Sequence, residues 1–225
     1  MLNGISDIVM CGGFGSPTFC FPFYTYSDKD LVRKENLNDW ALAQFRAHYH
    51  DDTIAKWDIF HYIYALLHHP AYREKYAANL KRELPRIPFA SDFWGFARAG
   101  GRLSDLHVNY EAQSEYPLTR LETPGLPLDW RVEKMKLAKD RRFLKYNEFL
   151  TLDGIPSEVY EYKLGNRSAL EWIIDQYRVH TDKRSGITND PNRLDDPQYI
   201  IRLVGQVITV SLETLNILKS LPDLE

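Results

Sequence analysis

The polar side chains best suited to contact a nucleic acid are concentrated in one loop, between residues 182 and 193. This loop follows a short predicted helix and combines cations, short amides and a hydroxyl. Such groups bind phosphates and read the edges of bases. The sequence therefore predicts a DNA-contacting loop that uses Lys183, Arg184, Ser185, Asn189, Asn192 and Arg193.

A second basic stretch runs from Trp130 to Tyr146, where seven Lys and Arg residues accompany only two acids. The whole chain carries a net charge of −3, so any attraction for a polyanion must come from a local surface of this kind. The alternative is an ordinary solvated charged face. The predicted DNA-binding residues here are Lys134, Lys136, Lys139, Arg141, Arg142 and Lys145, together with Arg82 from the third predicted helix and Arg86 beyond its end.

Two short patterns could carry catalysis. Asp153 with Glu161 and Lys163 resembles the acid, acid-x-Lys pattern of Mg²⁺-dependent nucleases, and a solvated cross-strand pair is the alternative. Asn189–Asn192 contains Asp-Pro but lacks the second proline and the aromatic residue with which amino-methyltransferases hold an extruded base. A rigid turn explains that segment without chemistry. Neither pattern makes a convincing catalytic site.

The sequence predicts no metal site and no cofactor. Cys11 and Cys20 are too few for a disulfide scaffold or a zinc site. His61 and His68 are two helical turns apart, which is too far to share one metal, and His69 points to the side. A phosphate-binding loop of the Gly-x-x-x-x-Gly-Lys-Ser/Thr type does not occur.

Apolar periodicity predicts an α-helical layer over residues 38–112, preceded by an edge strand within 18–26. The expected helices cover 38–49, 56–67, 70–84, 91–99 and 103–111, and Gly100-Gly101 separates the last two. Residues 113–129 are rich in proline and lack periodicity, so we expect a linker between a domain at 1–112 and a domain at 130–225.

The C-terminal half predicts strands over 130–165, including an alternating strand over Tyr160–Leu164. Ser168 and Glu171 fit a capping box at the start of a helix. The longest helix is expected over 197–221 and is apolar over more than half its circumference. The predicted fold class is α+β, with an N-terminal helical layer, a small basic β region and C-terminal helices packing across both.

No apolar run approaches the roughly 20 residues that span a membrane. No basic segment at the N-terminus leads into an apolar one, so no signal peptide is predicted. We therefore expect a cytoplasmic protein without a membrane partner.

Several long stretches, taken in order along the chain, resemble the C-terminal region of type ISP restriction–modification enzymes. Those enzymes combine a nuclease, a helicase-like translocase, an adenine methyltransferase and a target-recognition domain in one chain. The similarity covers about residues 36–221. It is carried by Asp58–Arg73, Asn79–Pro88, Leu106–Glu111, Arg167–Arg178 and Ser185–Asn192.

This resemblance implies sequence-specific recognition of double-stranded DNA and presentation of the target adenine to a methyltransferase. The nuclease, helicase and methyltransferase motifs are absent, so the resemblance implies no catalysis by these residues. The expected partners are duplex DNA and the methyltransferase or helicase domains of the same or a neighbouring chain. Two alternatives stay open: a scaffold module that docks on such domains through the helix at 199–221, and a cryptic Mg²⁺-dependent nuclease.

Overall fold

The computed structural model describes residues 21–26, 32–80 and 82–224. The chain divides into two compact units, one of residues 1–108 with 217–225 and one of residues 109–216. Cys11, Cys20 and the first part of the predicted edge strand lie outside the described residues. The domain boundary predicted at 113–129 stays a prediction about domain organisation.

Helices are the main elements in the described part of the first unit. A short antiparallel ribbon, β1 (Tyr24–Tyr26) with β2 (Arg33–Glu35), precedes them. The sequence-based prediction for the first helix is confirmed, since the side chain of Asn38 accepts a hydrogen bond from the backbone N–H of Ala41. The helices are α1 (Asp39–Tyr49), α2 (Lys56–His68), α3 (Pro70–Lys75) and α4 (Phe93–Val108).

The pair α2 and α4 forms the centre of the first unit, and it corrects the prediction of two helices broken at Gly100-Gly101. Helix α4 runs through both glycines without interruption. A Cβ at Gly100 would lie 1.8 Å from the backbone oxygen of His61, so glycine allows the two helix backbones to approach each other there. Close approach of a neighbouring helix, and not a helix end, explains Gly100.

The predicted third helix over 70–84 is wrong beyond its first turns, because α3 ends at Lys75. Beyond this end, Leu80 and Leu84 are 36% and 59% exposed, so the second half of the predicted helix has little to pack against. A helix without a buried face gains little stability from its sequence. Arg82 therefore does not share one side of a helix with Lys75, although its spacing predicts this.

A four-stranded antiparallel sheet organises the second unit. Its strands are arranged in the order β3, β6, β5, β4. The register places Arg120, Leu152, Leu144 and Leu137 in one row on the inner face, and Leu152 and Leu144 are fully buried. The strands are β3 (Thr119–Glu122), β4 (Lys136–Leu137), β5 (Phe143–Lys145) and β6 (Leu150–Asp153). Strand β3 thus lies within the predicted linker.

Two short ribbons and two helices complete the second unit. The ribbons are β7 (Lys163–Leu164) with β8 (Arg167–Ser168) and β9 (His180–Thr181) with β10 (Thr188–Asn189); the helices are α5 (Ala169–Gln176) and α6 (Tyr199–Lys219). The capping box of Ser168 and Glu171 is confirmed at the start of α5.

The predicted strand over Tyr160–Leu164 is mostly wrong. A 3-10 helix occupies Ser157–Glu161, and only Lys163 and Leu164 pair as a strand. The Val159 side chain is fully buried, and the Tyr160 hydroxyl donates to the backbone oxygen of Arg141. Tertiary contacts with the sheet therefore override the period-two pattern.

Helix α6 is the apolar centre of the second unit. Residues from its first half, including Leu203, Val204 and Ile208, are buried in the same core as the inner face of the sheet. With 21 residues and a mean hydropathy of 1.4 over its most apolar 18-residue window, α6 is long and apolar enough to cross a membrane, so the prediction that no apolar run approaches this length is wrong. Because 61% of its most apolar window is buried, packing in a core explains the same composition.

Gly100→Ala tests the close helix approach. We expect this substitution to destabilise the protein by about 3 kcal/mol or more, because the added methyl overlaps the backbone of α2. The measurement is the free energy of unfolding in urea. Gly101→Ala is the matched control: its Cβ would meet the His61 ring at an ordinary 3.5 Å, and alanine favours a helix by about 1 kcal/mol. Equal stability of the two variants would contradict the packing argument.

Acid should weaken the first unit through His107. Burial, followed by the charge of nearby His68, lowers the pKa of His107 from 6.5 to about 3. The folded state therefore binds this proton less readily than the unfolded chain, and the free energy of unfolding should fall as the pH drops below 6.5. Urea unfolding across this pH range should show a shallower decline in His107→Gln. His180→Gln, at an exposed histidine, should keep the decline of the parent protein.

Candidate nucleic-acid interface

An extended segment, residues 129–133, supports the candidate interface, and side-chain amides hold it in place. We call it the strap. The side chain of Asn192 binds both backbone polar groups of Val132 in the strap. Its Oδ1 accepts from the Val132 N–H at 2.8 Å, and its Nδ2 donates to the Val132 oxygen at 2.8 Å. Val132 is fully buried, so its backbone groups need protein partners. The Asn192 side chain thus replaces a neighbouring strand.

A second asparagine holds the other side of the strap. The Nδ2 of Asn147 donates to the backbone oxygens of Asp129 and Arg131, both at 2.9 Å. Its Oδ1 accepts from the N–H groups of Phe149 and Leu150, which closes the turn between β5 and β6. Asn147 therefore ties the strap directly to the sheet.

The loop that carries Asn192 is itself fixed by an acid. Asp190 accepts hydrogen bonds from the side chain and the backbone N–H of Asn192, and it forms an ion pair with Arg131 of the strap at 2.9 Å. These contacts, led by the Asn192 side chain, hold the pKa of Asp190 below its ordinary value. The Asp-Pro segment is therefore the rigid turn that the sequence analysis favoured over a catalytic motif.

The hairpin of β9 and β10 projects next to the strap. Its six connecting residues are closed by Asp182, whose Oδ1 accepts from the N–H groups of Arg184 and Ser185 and from the Ser185 hydroxyl. These bonds lower the pKa of Asp182. Gly186, with φ at 72°, supplies the left-handed residue of the turn, and the Thr181 and Thr188 hydroxyls are bonded across the ribbon. The turn is thus complete without help from other segments.

The hairpin and the strap are joined, so the structure brings together two of the regions predicted from the sequence. The N–H of Val179 donates to the backbone oxygen of Glu133 at 2.9 Å, at the base of the hairpin. Lys134 follows Glu133 directly and is exposed. The start of the basic stretch therefore lies at the base of the hairpin.

The predicted contact residues in the second unit fall into two groups. Some already have partners inside the unit: Ser185 and Asn192 hold turns, Arg141 pairs with Glu171 at 3.0 Å, Lys145 pairs with Glu148 at 2.6 Å, and Arg193 lies over the Tyr199 ring. The others are exposed, and their side chains make no hydrogen bond or ion pair with a described residue: Lys134, Lys136, Lys139, Arg142, Lys183, Arg184 and Asn189.

Two predicted contact residues belong to the other unit. Arg82 is exposed, and Arg86 forms an exposed ion pair with Glu83 at 3.6 Å. Both residues lie in the first unit, whereas the hairpin and the strap lie in the second.

The three candidate catalytic residues lie in three different local settings. The Asp153 carboxylate accepts a hydrogen bond from the neighbouring Gly154 N–H, Glu161 ends a 3-10 helix, and Lys163 lies in the ribbon that follows. In the described part of the chain, no group of three or more His, Cys, Asp or Glu residues could hold a metal ion.

Three residues that organise the hairpin and the strap were not singled out in the sequence. Asn147, Arg131 and Asp182 carry much of the hydrogen bonding, and none of them was a candidate. Asp182 does have a recognisable signal, because an Asp three residues before Ser and four before Gly suits a turn. Asn147 and Arg131 bind segments that are distant in the sequence, and the residues next to them give no sign of these contacts.

Comparisons with known proteins agree on one family. The model of the type ISP C-terminal specificity domain matches residues 1–203. The search of curated proteins found no match. Among solved structures, a nuclease-deletion mutant of the type ISP restriction–modification enzyme LlaGI in complex with a DNA substrate mimic is 41% identical, with a TM-score of 0.76 over 91% of this chain and 18% of that one.

Two further solved structures are similar. The ATP-dependent type ISP restriction–modification enzyme LlaBIII bound to DNA is 35% identical, with a TM-score of 0.79 over 90% of this chain and 13% of its own. The DrdV–DNA complex is 39% identical, with a TM-score of 0.79 over 92% of this chain and 22% of DrdV. The present chain therefore spans about a fifth or less of the length of the LlaGI and LlaBIII chains.

Replacing Asn192 with alanine should release the strap. The substitution leaves both backbone groups of buried Val132 without partners, at a cost of at least about 2 kcal/mol. Hydrogen exchange should then accelerate at the amides of Val132 and Val179. Asn189→Ala is the control, because its exposed side chain has no described partner, and stability should change by less than about 0.5 kcal/mol. Unchanged exchange in Asn192→Ala would refute the role assigned to this amide.

Proposed function

Because the chain belongs to the type ISP C-terminal specificity domain family, we propose that it recognises a specific sequence in double-stranded DNA as the target-recognition part of a restriction–modification enzyme. The observation that carries this proposal is the hairpin of β9 and β10 beside the strap. Its turn is closed from within, and its exposed cations and Asn189 have no partner among the described residues. A two-stranded ribbon fits the major groove of B-DNA.

The roles that we propose for individual residues follow from which side chains have no partner among the described residues. Lys183 and Arg184, at the tip of the hairpin, would bind phosphates or the acceptor groups of guanine, and Lys134 and Arg142 would bind backbone phosphates. Asn189 would read a base edge, since a free amide can bond adenine through two atoms. Ser185, Asn192 and Arg141 would position the surface without contacting bases, because their polar groups are already engaged. Arg193 would do the same, since its guanidinium stacks on the Tyr199 ring.

Catalysis would belong to other parts of such an enzyme. This proposal is supported by the absence of a phosphate-binding loop and a complete methyltransferase motif from the sequence. The methyltransferase and helicase-like domains of the same or a neighbouring chain would then be the protein partners, and the location would be the cytoplasm. The scaffold alternative loses its main support, because burial within the unit explains the apolar character of α6.

Selection of bound duplexes from a random pool, followed by binding measurements over a series of salt concentrations, tests the proposal. We expect one enriched sequence and an affinity that falls steeply with salt. The double variant Lys183→Ala/Arg184→Ala should weaken binding to every duplex and reduce the salt slope by up to about two. Its unfolding free energy should stay within about 0.5 kcal/mol, because both side chains are exposed and unpaired.

Asn189→Ala separates sequence reading from general attraction. It should reduce discrimination at one base pair by about 1–3 kcal/mol and leave the salt slope unchanged. Repeating the selection with this variant shows whether one position of the recognised sequence becomes degenerate. Absence of duplex binding by the parent protein at low salt would remove the proposed function altogether.

A further inference from the structure

The outer face of the four-stranded sheet carries two lysines placed directly opposite each other. The register pairs Lys136 of β4 with Lys145 of β5, and Thr151 of β6 continues the same row. This row faces away from the core, since the adjacent row contains the buried Leu144 and Leu152. Like charges that face each other across strands destabilise a sheet unless an anion lies between or beside them.

Glu148 supplies one such anion from within the chain. Its Oε2 lies 2.6 Å from the Nζ of Lys145, and its side chain is 83% exposed. The hydrogen bond and charge of Lys145, and then the charge of Lys136, lower the pKa of Glu148. One carboxylate thus accompanies two ammonium groups, and the local charge stays positive.

The backbone of Glu148 is held by neighbouring residues, whereas its side chain is 83% exposed. The Thr123 hydroxyl donates to the Glu148 backbone oxygen at 2.9 Å, and Thr123 N–H donates to the Phe149 oxygen at 2.7 Å. Asn147 closes the same turn through its side chain. An exposed ion pair on such a support contributes little to stability, so a competing anion can replace the carboxylate at low cost.

We propose that Lys136 and Lys145 form a binding site for a backbone phosphate of duplex DNA, and that Glu148 occupies this site until the phosphate displaces it. This inference rests on the proposed function and assigns one phosphate contact within it. A phosphodiester carries the same single negative charge as the carboxylate and accepts hydrogen bonds from both ammonium groups. Phe143, 40% exposed in the neighbouring row of the outer face, gives the sugar an apolar surface beside the site.

Glu148→Gln tests the displacement in the whole chain. Removing the competing charge should tighten binding to a short random-sequence duplex by roughly two- to fivefold at low salt. Lys136→Ala/Lys145→Ala should weaken it, with a plot of log affinity against log salt that is shallower by about one to two. Glu213→Gln removes the same charge from an exposed position on α6 and should bring less than half of the gain of Glu148→Gln.

The outcomes separate this site from the wider proposal. Equal affinities of the parent and Glu148→Gln, or equal gains in Glu148→Gln and Glu213→Gln, would overturn the site even if the parent binds a selected duplex well. A parent protein that binds no duplex would instead overturn the proposed function. Titration with inorganic phosphate, followed by NMR at the amides of Lys136 and Lys145, distinguishes the source: saturation by free phosphate without any effect of the lysine variants on duplex binding would rule out DNA as the ligand.

Discussion

The arrangement of the second unit depends on one requirement: the polar backbone groups of a buried residue need partners. Val132 is fully buried in a segment that has no neighbouring strand, and the amide of Asn192 meets its N–H and its C=O together. An asparagine side chain carries one acceptor and two donors, so it reproduces both bonds of a strand neighbour and keeps a donor for Asp190. The strap, the loop and the base of the hairpin are held in one geometry as a result.

This requirement also explains why chemically similar residues on one surface differ in what they can do. Asn192 and Ser185 complete hydrogen-bonding networks, while Asn189 and Lys183 have no described partner. A side chain that closes a turn gives up the donors and acceptors that recognition needs. The free side chains therefore lie on a surface whose shape is set by their engaged neighbours, which is the preorganisation that specific binding requires.

Local signals predicted the parts of the fold that local interactions determine. The Asn38 cap, the capping box at Ser168 and the long apolar helix near the C-terminus follow from spacing within a few residues. The errors occurred where distant segments decide. Gly100 is explained by the His61 backbone on another helix, and Tyr160 by a hydrogen bond to Arg141. The types of side chain on the candidate surface could be predicted, but the division into engaged and free residues could not.

The closure of the hairpin turn has a consequence for how the family could diversify. The bonds that shape residues 182–187 involve the Asp182 carboxylate, the Ser185 hydroxyl and Gly186, together with backbone groups. Positions 183, 184 and 187 contribute only their main chain to this geometry, and the Ile187 side chain is 70% exposed. These three side chains can therefore be exchanged, in evolution or by mutagenesis, while the loop keeps its conformation. The contact residues at the tip can thus vary without a change of the backbone that carries them.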